Sequence, residues 1–182
     1  MRARLTLAAS TAALALAGSV FAATPAMAGT GVTFTISAGL LTISEPSAQA
    51  GLGTVTATPL GTTTSGSLGT TTINDARGSL AGWTVSVSST DFTTASPVQT
   101  IPASNAVMYL PSLATVTQGV AVVTNTHVAA ASGLTLGNSS SSFMTAATTG
   151  SNVVTYSPTV QVTLPSTAIA GTYTGTVTQT VA

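Results

Sequence analysis

Cysteine and lysine are both absent from the chain. Without cysteine there is no thiol chemistry, no cysteine-ligated metal and no disulfide staple, so burial and hydrogen bonding must hold the fold. Without lysine the positive charge is three arginines, and only Arg77 lies beyond the first few residues. A nucleic-acid binder needs a basic face to displace counterions, and an anionic lipid surface attracts a polybasic cluster. Neither is present. Carboxylates are as scarce, being Glu45, Asp75 and Asp91 alone. With charged residues at 3% of the chain, solubility has to come from hydroxyl groups. Amphipathic helices are missing too: past the N-terminal stretch no apolar residues recur at three- and four-residue spacing.

What the chain has is threonine and serine, set among 44% hydrophobic residues with a mean hydropathy of +0.53. A disordered mucin-like stalk would share the hydroxyls but not the apolar content or the alternation. β-branched threonine suits the half-exposed face of a pleated sheet. Alternation predicts strands over residues 32–37, 41–44, 54–58, 68–73, 83–88, 106–110, 119–124, 152–156, 159–164 and 172–181. Residues 61–69 read as a glycine- and serine-rich connection, and residues 97–102 as irregular. Residues 129–150 read as a long loop with at most a brief strand near Phe143 and Met144. Short strands broken by Gly and Pro imply an all-β fold, an antiparallel β-sandwich of Ig-like or Greek-key type.

The N-terminus has the form of a secretory signal. Arg2 and Arg4 make the basic region, residues 5–20 the apolar helix, and Ala26-Met27-Ala28 a small-x-small site that places cleavage between Ala28 and Gly29. Val20-Phe21-Ala22 is a weaker alternative. Two segments follow from this: a signal peptide over 1–28 and one β domain over 29–182. After cleavage no membrane segment is expected.

The stretch from 68 to 92 concentrates the unusual residues. It holds the sole tryptophan, Trp83, with Val85 and Val87 on the same face of a strand, which points to a core position. Asp75 and Arg77 stand two apart and share a face on extended backbone, so they are expected to pair where the chain turns at Gly78. Tyr109, Tyr156 and Tyr173 are expected at sheet edges with their hydroxyls in water. His127 is the lone histidine. With no G-x-S-x-G in the sequence it is read as a solvated loop residue rather than a hydrolase base. No catalytic group, metal site or cofactor is expected.

Ile73, Asp75, Arg77, Gly78 and the run Trp83-Thr84-Val85-Ser86-Val87 resemble the WxL-type cell-surface domains of Gram-positive bacteria and their actinobacterial secreted relatives. Tyr156-Ser157-Pro158-Thr159-Val160-Gln161-Val162-Thr163-Leu164-Pro165 is similar to that family's distal strand. Both W-x-L triplets are degenerate here. The distal one reads Val162-Thr163-Leu164, and the proximal one Trp83-Thr84-Val85. The resemblance implies a secreted or wall-associated module that contacts peptidoglycan or other surface proteins without catalysis. The alternative is a structural, fimbrial- or adhesin-like subunit that self-associates through the edge of the strand over 172–181.

Overall fold

The computed structural model describes residues 31–48 and 50–182, so the predicted signal helix and the Ala28/Gly29 cleavage site lie outside the described residues. The chain is all-β with antiparallel pairing throughout. In order, the strands are β1 (Leu41–Ser44), β2 (Thr62–Ser67), β3 (Thr71–Asp75), β4 (Trp83–Ser89), β5 (Phe92–Thr93), β6 (Thr100–Ile101), β7 (Ala106–Tyr109), β8 (Thr115–Thr124), β9 (Leu134–Thr135), β10 (Ser141–Tyr156), β11 (Thr159–Leu164) and β12 (Val177–Val181). All lie within the compact unit over residues 35–182.

β10 sets the architecture. Its second half, Asn152 to Tyr156, pairs with β3, and its first half, Ser141 to Ala146, pairs with β4. β8 runs along its other side from Thr145 to Thr155. β3 and β4 are therefore two halves of one row, interrupted by residues 76–82, with β1 beside β3 and β12 beside β4.

This row does not run straight. Phe143 and Tyr156 lie on the same strand, and a straight strand would hold them ~43 Å apart at ~3.3 Å per residue. Their ring centroids are 6.5 Å apart. β10 thus turns back on itself, and the larger sheet becomes barrel-like and nearly closed. The turn falls where Gly78, Gly119 and Gly150 take positive φ of 63°, 72° and 70°, one from each adjoining row. The β8–β10 register also slips there, between Thr149 and Asn152. Glycine at a bulge is how a sheet turns a corner.

A smaller sheet of order β2–β11–β7–β9 completes the enclosure. Ile73, Val85, Met108, Val154 and Val160 are each at most 1% exposed and belong to a single core.

Several expectations are corrected. Residues 129–150 are not a long loop, because β10 begins at Ser141. Its inward positions include Ala146, Thr148 and Asn152, so the buried face lacks the apolar signature of a strand. Residues 61–69 contain β2, where threonine fills a half-buried pleat. Gly66 lets the backbone at Gly51 and Leu52 pack closely. Residues 32–37 and 54–58 alternate but have no ladder partner among the described residues, and neither is a strand. The last strand is only Val177–Val181; before it, Thr174 makes a single bridge to Thr93 and Gly175 packs on the Phe92 ring.

Candidate functional site

β3 alternates inward at Thr71, Ile73 and Asp75, so its last residue buries a carboxylate, 1% exposed, at the corner. The chain then leaves the sheet, and Arg77 folds back over it. Arg77 Nε donates to Asp75 Oδ1 at 2.9 Å and an Arg77 terminal nitrogen donates to Oδ2 at 3.0 Å, a two-pronged ion pair. The Arg77 backbone N–H donates to Oδ1 at 3.1 Å. The same terminal nitrogen reaches the carbonyls of Ala81 and Gly82 at 3.2 and 3.1 Å. One side chain therefore ties the start of the 76–82 loop to its end.

β10 braces the loop from the other side. Thr148 Oγ1 donates to the Ala81 carbonyl at 2.8 Å, and the Gly150 N–H to the Ser79 carbonyl at 2.9 Å. Asn152, 2% exposed, links the pair to the core: its Nδ2 lies 3.5 Å from Asp75 Oδ2, and its Oδ1 accepts from Trp83 Nε1 at 3.4 Å. The Arg77 guanidinium holds the Asp75 carboxyl below the usual range against the opposing effect of burial. Asp75 in turn pushes the guanidinium further up. The outcome is a fixed loop whose Leu80 side chain is 79% exposed.

The predicted residues divide between places. Asp75, Arg77, Gly78 and Trp83 meet at the corner, with Val85 next inward on β4. Trp83 is 2% exposed, so its ring fills the core and is unavailable to stack on a sugar. Val162 is buried and Leu164 half-buried on β11, in the smaller sheet. The next strand after it, β12, lies in the larger sheet, so the connection after Leu164 is a crossover between sheets.

Tyr156 departs from expectation. It is 3% exposed, and its hydroxyl donates to Gln179 Oε1 at 2.9 Å, while Gln179 Nε2 donates to Thr71 Oγ1 at 3.4 Å. Burial, and then the charge of Glu45, push the phenol well above its ordinary value. Replacing Tyr156 with phenylalanine removes the donor to a buried amide oxygen, which should lower stability by about 1–2 kcal/mol in urea denaturation. The folded phenol is raised, so its contribution is complete below the ordinary tyrosine pKa of ~10 and is lost as pH climbs above it. The Tyr156→Phe chain should therefore lose less stability above pH ~10 than the unaltered one.

His127 is half-buried and more tightly held than a solvated loop residue. Its ring stacks on Phe143 at 5.7 Å and 7°, and Nδ1 lies 2.9 Å from the Ser132 carbonyl, the geometry of an N–H donor. No hydrogen bond joins it to a carboxylate among the described residues. Asp91 Oδ1 instead accepts the Ala103 N–H at 2.8 Å.

Asn152, Thr148, Gln179 and Thr71 are the participants that sequence reasoning missed. Asn152 carried a usable signal, since period-two spacing puts it on the same face as Val154 and Tyr156. A polar residue on an inward face needs a buried partner. In comparisons with known proteins, no family model, no curated protein and no solved structure matches this chain.

Proposed function

We propose that this chain is an exported, non-enzymatic surface module that acts by contact, with the braced 76–82 loop as its contact element. Its scaffold is an antiparallel β-sandwich of Ig-like, Greek-key type, released by cleavage between Ala28 and Gly29. Its partner is cell-wall peptidoglycan or another surface protein, in keeping with the resemblance to WxL-type domains. The observation that carries this reading is Leu80, exposed on a loop held at both ends. An apolar side chain on a fixed support loses little entropy on binding, so its burial is converted into affinity.

Co-sedimentation with purified Gram-positive peptidoglycan tests it. Residues 29–182 should pellet with the polymer, and Leu80→Glu should weaken retention about tenfold, equivalent to ~1.4 kcal/mol, with the unfolding midpoint unchanged. A chain that stays in the supernatant overturns the wall-binding reading.

A second reading is a structural surface subunit that self-associates. It is favoured by β8, whose Val120 and Val122 are 59% and 67% exposed on a strand carrying no charged residue.

A further inference from the structure

We propose that copies of this chain join by strand addition, residues 32–37 of one copy pairing with the free edge of β8 in the next. The inference rests on the second reading above and names both the surface and its partner.

The acceptor is β8. It spans ten residues, Thr115–Thr124, and pairs only with β10; no backbone hydrogen bond reaches its other edge among the described residues. Sheet edges are ordinarily protected by lysine, proline, inward charges or a covering segment. β8 has none of these; the bulge at Gly119 bends its edge but leaves Val120 to Thr124 uncovered among the described residues. β12, the edge expected to self-associate, is half as long and lies close to β1 where the larger sheet nears closure.

Beside β8 runs a groove of about 220 Å³ lined by Leu113, Ala114, Val116, Ala121, Val123 and Asn125. It is apolar except for Asn125, whose Nδ2 is shielded from solvent and has no hydrogen-bond partner among the described residues. A strand laid along β8 would bring a backbone carbonyl to that donor.

The donor is the alternating run Val32-Thr33-Phe34-Thr35-Ile36-Ser37. Val32, Phe34 and Ile36 are 83%, 83% and 80% exposed, and these residues make no backbone hydrogen bond among the described residues. Three large apolar side chains at period two form one face of a strand that lacks a sheet. Phe34 is the natural occupant of the groove.

The whole run can pair with β8 only in a second copy. Gly39 is fixed by its hydrogen bond to Ala76, beside the β1 and β3 row. β8 lies three rows away, ~14 Å at ~4.8 Å per row. Ser37 is two residues before Gly39 and reaches at most ~7 Å at ~3.6 Å per residue. Ser37 therefore cannot reach that edge in its own chain, so the six residues cannot all pair there, whereas head-to-tail addition between chains lets the whole run pair.

The test compares residues 29–182 with a chain beginning at Ala38, a deletion that removes no strand among the described residues. Light scattering should show concentration-dependent oligomers for the longer chain and a monomer for the shorter one. A synthetic peptide of residues 31–38 added to the shorter chain should slow amide exchange across β8 by about tenfold or more, leaving β12 unchanged. The same peptide with Phe34→Asp and Ile36→Asp should have no effect. Equal oligomerisation of both chains, no oligomers of either, or peptide protection elsewhere than β8 would overturn the proposal. A monomer that still sediments with peptidoglycan would end strand addition and leave wall contact standing.

Discussion

Replacing Arg77 with alanine should lower the folding stability of residues 29–182 by about 3–5 kcal/mol, the cost of leaving one partner of a buried ion pair without the other. Asp75 is 1% exposed and would keep its burial while losing two side-chain hydrogen bonds and the opposing charge. Arg77 is itself 26% exposed, and that partial solvation places the expected loss in the lower half of the range.

The pH dependence distinguishes this mechanism from simple loss of packing. In the unaltered chain the Asp75 pKa is depressed, so its contribution is present above the unfolded value of ~3.9 and is lost as pH falls through the lower folded value. Between pH ~5 and ~9 stability should be nearly flat, because so few other groups can titrate. Without the guanidinium the largest lowering cause is gone, and the backbone N–H of residue 77 and Asn152 alone oppose burial, so the depression of the Asp75 pKa shrinks. The acid limb of the variant should therefore begin at a higher pH than that of the unaltered chain, so the gap between the two narrows as pH falls from ~7 to ~4. Urea denaturation at the two pH values reads the effect directly. A variant with the same acid limb as the unaltered chain would show that the pair contributes little.

Gly119→Ala should cost at least ~3 kcal/mol, from two additive causes. The residue sits at φ 72°, a left-handed conformation costing a side chain ~1–2 kcal/mol. An added Cβ would also overlap the Ser151 carbonyl and the Asn152 Cα, backbone atoms that cannot yield without moving β10. Gly150→Ala is the control. It has nearly the same φ, 70°, but nothing lies within 4 Å of the added carbon. That variant should lose only ~1–2 kcal/mol. Equal losses would mean that β8 and β10 are not in close contact at the corner.

The legible parts of the sequence were those where pattern and burial coincide. β4 shows its inward face as Trp83, Val85 and Val87, and the spacing of Asp75 and Arg77 anticipated their pairing. β10 was illegible because its corner is built from hydrogen bonds. Thr148 faces inward to hold Ala81, Asn152 faces inward to hold Asp75 and Trp83, and Gly150 supplies the turn. Each of those residue types ordinarily marks a loop. Residues 32–37 erred in the opposite sense, since alternation records only that a segment can pair and not that a partner exists within the same chain. Tyr156 was misplaced for want of a partner visible nearby, because Gln179 and Thr71 are remote in sequence.

The folded-over β10 positions the Arg77 brace, the exposed Leu80 and the long free edge of β8. Its most direct test is an NMR measurement of proximity between the Phe143 and Tyr156 rings, assigned by substituting each in turn. Ring centroids 6.5 Å apart predict a cross-ring nuclear Overhauser effect that disappears in either variant. Its absence from the unaltered, folded chain would mean that β10 is extended and that the corner does not exist.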